Sequence, residues 1–196
     1  PTENTITLSN DGIVFEGTGA ELSADLKTIT IAQPGTYIVT GEMEEGQIIV
    51  DVDKTAYVDG LVELSLEGMS ISNTSTSPIY IASVDDKCSI SAKKGTVNTV
   101  SDGTSYTNAD GGVGAVYAKD DITFKGKGTL NVYGNCEDAI VCKNDIHINN
   151  GTLNVTAADD GIRGKDSVRI GDPLDTDFSS LNVTVNAKGG DGIKST

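Results

Sequence analysis

The feature that most constrains the fold is an internal repeat with a unit of about 23 residues. The first recurring signature is Gly-Thr-aliphatic-Asn, degenerate in its last copy, which ends at Asn98, Asn131, Asn154 and Asn182. The second is Asp, a small residue and Ile, which begins at Asp138, Asp160 and Asp191. The third starts with a lysine followed by Asp or Asn, at Lys119, Lys143 and Lys165. The same residue type at the same phase indicates equivalent, stacked units.

Each unit contains three short runs in which apolar and polar residues alternate, separated by Gly, Asn or Asp turns. In one unit the runs are residues 140–142, 146–148 and 153–155. No segment of the sequence has helical periodicity over ten residues. Three strands and three turns per unit predict an all-β fold, a single-stranded parallel β-helix (a solenoid) with coils of about 23 residues.

The repeat also predicts which side chains stack on one another. We expect two inward aliphatic columns, one of Ile122, Ile146 and Val168 and one of Leu130, Leu153 and Leu181. Cys88 and Cys142 are in phase with inward apolar neighbours and are predicted to be small core residues. The four asparagines that end the first signature are predicted to form an outward amide ladder, with a sugar-binding stripe as the alternative.

The pattern predicts one domain over residues 1–196. Residues 1–45 carry strands without the full signature and are expected to form an irregular N-terminal cap, and residues 46–196 the repeating coils. A new unit opens at Asp191 and breaks off at Thr196, which would leave a strand edge exposed. We therefore expect the native chain to continue past residue 196.

Charge and hydropathy exclude several classes of partner. The chain has 29 acidic and 14 basic residues, a net charge of −15. A basic face that could displace counterions from phosphates is therefore not expected, which argues against nucleic acid and anionic membrane surfaces. No run of 18 apolar residues occurs in the sequence, so no membrane insertion is expected.

The second signature places acidic residues in register. Stacked strands lie about 4.8 Å apart, and unscreened carboxylates at that spacing repel by roughly 1 kcal/mol in water and by several in a less polar setting. Ca2+, which takes about six to eight oxygen ligands, would reverse that repulsion. The predicted calcium ligands are Asp138, Asp160 and Asp191 with the adjacent Glu137 and Asp159. The alternative is that each Asp only forms an Asx-turn before the next residue.

Two further groups of acidic residues are weaker calcium candidates. One is a second column, made up of Asp120, Asp121, Asn144, Asp145, Asp166 and Ser167. The other consists of Asp102 and Asp110, at the two ends of a segment in which one unit is longer than its neighbours.

Basic residues are scarce, and several align beside the acidic column. Arg163 and Arg169, the two arginines of the chain, fall in one unit, and Arg163 is in phase with Val141 and Lys194. An arginine can bind a sugar carboxylate through two parallel hydrogen bonds. The predicted substrate-binding residues are Arg163, Lys165, Lys194 and Arg169. The alternative is that the basic residues only neutralise neighbouring aspartates on a solvated face.

Residues 31–41, the strand at 47–51, residues 78–103 and the Asp-Gly-Ile units resemble a bacterial family of secreted, right-handed β-helix proteins described as carbohydrate-binding. Its members are similar to polysaccharide lyases in fold and are associated with cellulose-like and acidic-sugar polymers. The resemblance implies right-handed coils, calcium as the cofactor and an extracellular or cell-surface location. It does not imply lyase activity, because a shared fold does not fix the chemistry of a site.

Three functions follow as hypotheses. The first is a non-catalytic, calcium-binding protein that binds plant cell-wall polysaccharide, cellulose or a pectic acid. The second is a calcium-dependent polysaccharide lyase acting on uronate polymers, with Arg163 and Lys165 as its candidate catalytic residues. The third is a structural surface adhesin that binds no specific sugar. Of these, the sequence favours the non-catalytic binder.

Overall fold

A computed structural model describes residues 3–107 and 112–196, and in these ranges the chain consists of β-strands and their connections. The strands are β1 (Asn4–Leu8), β2 (Val14–Glu16), β3 (Ala20–Leu22), β4 (Thr28–Ile31), β5 (Gly35–Met43), β6 (Gln47–Asp51), β7 (Leu61–Asn73), β8 (Ile79–Ser83), β9 (Lys87–Ala92), β10 (Val97–Asp102), β11 (Val116–Ala118), β12 (Ile122–Gly126), β13 (Thr129–Gly134), β14 (Ile140–Cys142), β15 (Asp145–Ile148), β16 (Gly151–Ala157), β17 (Ile162–Gly164), β18 (Ser167–Ile170), β19 (Leu181–Ala187) and β20 (Ile193–Ser195).

The strands form two sheets. In the 12-stranded sheet, nine strands follow the order β18-β15-β12-β9-β7-β10-β13-β16-β19. In addition, β5 pairs with β7, β1 pairs with β5, and β2 pairs with β1. The 8-stranded sheet has the order β20-β17-β14-β11-β8-β6-β4-β3. Neighbouring strands are parallel from β4 onward, so strands that are equivalent in the repeat lie side by side.

The all-β prediction is confirmed, but the prediction of a single-stranded right-handed parallel β-helix is wrong. β7 runs for 13 residues, and its first half pairs with β9 while its second half pairs with β10. Two series of strands that were predicted to be separate are therefore joined in one curled parallel sheet, a half-barrel, with the second sheet beside it. The N-terminal region adds the antiparallel pairs β1–β2 and β3–β4. The physical reason is that the alternation of buried and more exposed side chains in residues 61–73 shifts phase at Glu67 and Gly68 without ending the strand.

One predicted aliphatic column is confirmed and the other needs correction. Ile146 pairs with Ile122 on one side and with Val168 on the other. Leu130 pairs with Leu153, but the next residue in that column is Val183. Leu181 instead lies opposite Gly151, because the degenerate Ser-Ser copy of the signature sits two residues out of phase with the others.

The predicted amide ladder has two members and not four. Asn131 pairs with Asn154, whose Nδ2 donates to the Oδ1 of Asn131 at 3.0 Å. Asn98 is one residue out of phase, lies opposite Leu130 and is fully buried. Asn182 lies opposite Thr152. The signature thus repeats in sequence without keeping one phase in the sheet.

The cysteines agree with their predicted core positions. Cys88 and Cys142 are buried, and burial raises the pKa of each thiol to about 12. Cys136 lies in a turn and is partly exposed, and all three thiols are free.

We therefore expect a thiol reagent at mildly alkaline pH to label Cys136 in the native protein and all three cysteines after unfolding. Mass spectrometry of the labelled peptides would show the sites. Rapid labelling of Cys88 or Cys142 under native conditions would contradict the buried environment of the two thiols.

Candidate functional site

The outer face of the 8-stranded sheet positions the predicted basic residues. β14, β17 and β20 stack in parallel, with Ile140, Ile162 and Ile193 in one column of the register. The next residue of each strand occupies the opposite face, which places Arg163 between Val141 and Lys194. The predicted alignment of Arg163 is confirmed.

The acidic column consists of Asp138, Asp160 and Asp191, immediately before these strands. The Asp138 carboxylate accepts the backbone N–H of Asp160 at 3.0 Å, and the Asp160 carboxylate accepts that of Asp191 at 2.8 Å. Arg163 Nη2 lies 2.8 Å from Asp138 Oδ2, and Lys194 Nζ lies 3.1 Å from Asp160 Oδ2. Each buried aspartate is thus bound by one backbone N–H and one cation, both from the following unit.

The two buried aspartates differ in their tendency to ionise. Burial raises the pKa of Asp138 above its ordinary value, because the Asp160 N–H and Arg163 only partly replace the lost water. Burial acts in the same direction on Asp160, but the Asp191 N–H and the Lys194 ammonium outweigh it and hold the pKa of Asp160 below its ordinary value. The hydrogen bond to Asp160 in turn raises the pKa of Lys194.

The opposite pKa shifts of the two aspartates predict that removing their charges has opposite effects on the free energy of unfolding. A lowered native pKa makes Asp160 stabilising above its unfolded pKa of about 3.9, and this stabilisation is lost as the pH falls through the native pKa. For Asp138, whose native pKa is raised, stabilisation is present at low pH and is lost as the pH rises through that pKa. We expect Asp160→Asn to lower the free energy of unfolding at pH 7 by about 1 kcal/mol and Asp138→Asn to leave it unchanged or raise it slightly.

Urea unfolding at pH 7 and at acid pH would measure these differences. The deficit of Asp160→Asn should shrink in acid, where Asp160 of the wild type is protonated as well. A deficit that stays constant with pH would show that the charge of Asp160 contributes nothing.

The carboxylate oxygens of the two buried aspartates in the acidic column already have protein partners. The carboxylates of Asp138 and Asp160 are already bound by N–H groups and cations, while Glu137, Asp159 and Asp191 are exposed. Over residues 3–107 and 112–196, no three His, Cys, Asp or Glu side chains converge in a way that could hold a metal ion. The residues present therefore do not fit a calcium ion at this position.

The weaker calcium candidates also have protein partners. Asp120 accepts the Val84 N–H and forms an ion pair with Lys54. Asp121 accepts the Asp145 N–H at 3.2 Å, and Asp145 accepts the Ser167 hydroxyl at 2.6 Å. These contacts hold neighbouring units together as the acidic column does.

The longer unit contains a buried cluster that the sequence did not reveal. The Asp102 carboxylate accepts the Tyr106 hydroxyl at 2.8 Å and the Asn135 backbone N–H. Burial raises the pKa of Asp102 above its ordinary value despite these hydrogen bonds. The cluster ties residues 102–106 to the next unit, and Asp110 lies outside the described residues.

The lysine column consists of Lys119, Lys143 and Lys165, one in each of three successive units. Their backbone N–H groups donate to the carbonyls of Ile81, Ala118 and Cys142, which fixes the stacking. The Lys119 ammonium lies 5.6 Å from the centre of the Tyr80 ring, a cation–π contact. Lys143 and Lys165 are exposed, and neither forms an ion pair with a described residue.

Lys143, Lys165 and Arg163 border one shallow pocket beside β14, which Val141, Cys142 and Thr196 complete. Its volume is about 40 Å³. One water molecule needs about 10–15 Å³ of such a cavity, so the pocket has room for a group the size of a carboxylate but not for a whole sugar ring. Arg163 Nε is buried and has no partner among the described groups, so the guanidinium keeps a donor beyond its contact with Asp138. The arrangement can bind a small anion.

The similarity of the chain to known proteins is consistent with this geometry. Residues 25–196 match the family model of carbohydrate-binding domain-containing proteins. The chain belongs to this family. A carbohydrate-binding domain-containing protein of Acetivibrio thermocellus is 34% identical over 156 residues, 78% of this chain and 52% of the relative, so the chain spans about half the length of that relative.

A solved structure supports the same grouping for this carbohydrate-binding domain. The polysaccharide lyase-like protein from C. thermocellum, solved as a gadolinium derivative, superimposes with a TM-score of 0.75 at 26% identity. The superposition covers 100% of this chain and 83% of the other. This carbohydrate-binding domain therefore has a polysaccharide lyase-like fold. No helix in the described ranges is long and apolar enough to cross a membrane.

The four predicted substrate-binding residues do not form one group. Arg163 and Lys165 border the pocket, and Lys194 stacks beside Arg163 but binds Asp160. Arg169 lies on β18 in the other sheet, where its Nη2 is 3.2 Å from His147 Nδ1. Lys143 was not predicted to bind substrate, although its alignment with Lys165 in the repeat placed it beside the same strands.

Proposed function

We propose that this carbohydrate-binding domain binds an acidic cell-wall polysaccharide, such as a pectic acid, without cleaving it. The observation that carries the proposal is that Lys143, Lys165 and Arg163 border one pocket. The chain has a net charge of −15, yet Lys143 and Lys165 form no ion pair with a described residue and meet Arg163 at a single cavity. A uronate carboxylate matches the size of the pocket and the charge of its walls.

The repeat suggests how a polymer would bind. The backbones of Lys119, Lys143 and Lys165 follow one another at the strand spacing of about 4.8 Å, so three successive units each provide a lysine at the same position of the stack. A uronate polymer carries one carboxylate on each sugar and would contact these lysines at several points. Weak contacts made at the same time add up to useful affinity through a high effective concentration.

Crystalline cellulose is a less suitable ligand for this surface. The chain has no tryptophan, and the exposed aromatic side chains in the described ranges are Tyr133 and Phe178. Tyr133 lies between Ser101 and Thr156 in its column, so no aromatic neighbour extends it into a flat platform.

The geometry favours binding over cleavage. A lyase needs a neutral base that removes a proton next to the uronate carboxylate. The Arg163 guanidinium is paired with the Asp138 carboxylate at 2.8 Å, and no Asp or Glu side chain of the described residues lines the pocket. Because such polymers lie outside cells, we also propose an extracellular or cell-surface location.

Affinity electrophoresis tests the proposal directly. Polygalacturonate in the gel should retard the native protein, fully methyl-esterified pectin should retard it much less, and a soluble neutral cellulose derivative should leave it unaffected. Equal retardation by the neutral polymer would overturn the preference for acidic sugars. No retardation by any polymer would favour a structural adhesin. Absorbance of unsaturated uronate product, measured with an active lyase as the positive control, should stay flat.

A further inference from the structure

Acidic and basic residues follow one another in a fixed order along the stack. On the outer face of the 8-stranded sheet, five successive units contribute Tyr80, Tyr117, Val141, Arg163 and Lys194. Three residues earlier in each unit stand Ser77, Gly114, Asp138, Asp160 and Asp191. A basic residue occupies this column only where the preceding unit contains one of these aspartates. The units before those of Tyr117 and Val141 contain Ser77 and Gly114 instead.

The contacts explain this order. Arg163 binds Asp138 of the preceding unit at 2.8 Å, and Lys194 binds Asp160 of the preceding unit at 3.1 Å. Lys194 also approaches Asp191 in its own unit, at 3.4 Å. The side chains of Asp138 and Asp160 are 4% and 7% exposed, so protein groups and not water stabilise the two negative charges. Each unit supplies the counter-ion for the buried carboxylate below it.

We propose that Arg163 and Lys194 are built-in counter-ions that take the place of a metal ion, so that stacking of the last units does not depend on calcium. This role of the two cations is separate from sugar binding, since it concerns how the stacked units are held together. A metal bridging the acidic column would need oxygens that the two cations and the backbone N–H groups already bind. A tethered cation, unlike a free ion, stays bound at any calcium concentration.

Thermal unfolding of four proteins, each with calcium and with chelator, tests this inference. They are the wild type and the variants Asp160→Asn, Arg163→Met and Arg169→Met. Methionine keeps a long apolar side chain but removes the charge. Arg169→Met is the matched control, because Arg169 lies on β18 and does not contact the acidic column.

We expect calcium to change the Tm of the wild type and of Asp160→Asn by the same amount, so that Asp160 and calcium show no coupling. Removing the Arg163 guanidinium should leave the Asp138 carboxylate without a cation. Calcium should then raise the Tm of Arg163→Met about 2–4 °C more than that of the wild type or of Arg169→Met.

A larger calcium response in the wild type than in Asp160→Asn would overturn the inference, because it would show calcium bound at Asp160. Failure of Arg163→Met to gain any calcium response would also count against it. Lys194→Met, which leaves Asp160 without the cation of the following unit, repeats the test one unit further along the stack if Arg163→Met does not fold. Gel retardation by polygalacturonate is a separate measurement, so the sugar-binding proposal stands or falls independently.

Discussion

Replacing Lys143 and Lys165 together by alanine should weaken binding to polygalacturonate about tenfold or more. Both ammonium groups border the pocket and lack ion pairs with described residues, so they are available to a carboxylate. Their exposure means that the change removes little buried surface, and the Tm should stay near that of the wild type. Affinity electrophoresis over a series of polymer concentrations would give the dissociation constants.

The chain offers a matched control for this double variant. Lys94 and Lys127 are also exposed, but they lie at a different corner of the fold and away from the pocket. Lys94→Ala with Lys127→Ala makes the same change in net charge and should leave binding within about twofold of the wild type. Equal weakening in both double variants would mean that the polymer responds to overall charge, and the pocket would no longer be a candidate site.

The periodic spacing of the sequence was enough to predict which residues face one another where units repeat without change. Ile122, Ile146 and Val168 are in register, and so are Arg163 and Lys194. Strand pairing sets a side-chain period of two, so a run with matching apolar positions has one favourable register. The same periodicity predicted the core positions of Cys88 and Cys142.

The connection between strand series could not be predicted from the repeat. Turn-forming residues show where a strand can end, but whether two strands of one unit join depends on the backbone between them. β7 passes Gly68 with a φ of 83° and continues to pair, so one strand borders both β9 and β10. The phase shift at Asn98 has a similar origin, since a signature of four residues does not specify where a strand begins.

The partners of the charges were also beyond the sequence pattern. The aligned aspartates indicated a column of negative charge, that column exists, and its two buried carboxylates, Asp138 and Asp160, form ion pairs with basic side chains of the following unit. The sequence pattern does not show that each buried Asp binds the basic residue of the following unit and not that of its own unit. Lys143 was not predicted to bind substrate, because the local sequence does not show that this lysine forms no ion pair with a described residue.

Asn98→Ala should be strongly destabilising, with a loss of about 3 kcal/mol or more in the free energy of unfolding. The Asn98 Oδ1 accepts the backbone N–H groups of Gly68 and Met69, each at 2.9 Å. Its Nδ2 donates to the Thr129 carbonyl at 3.1 Å and to Thr96 Oγ1 at 3.0 Å. Alanine would remove all four hydrogen bonds at a fully buried position, where β7, β10 and β13 meet, and would leave the Met69 N–H without its side-chain acceptor.

Asn154→Ala is the matched control, since it makes the same change in another copy of the signature. Asn154 is only partly buried, and among the described residues its side chain makes one hydrogen bond, to Asn131. Its loss should cost about 1 kcal/mol or less, so urea unfolding should place Asn98→Ala well below Asn154→Ala in stability. Similar losses in the two variants would mean that the Asn98 amide does not connect the three strands, and that the half-barrel holds its shape at β7 through apolar packing alone.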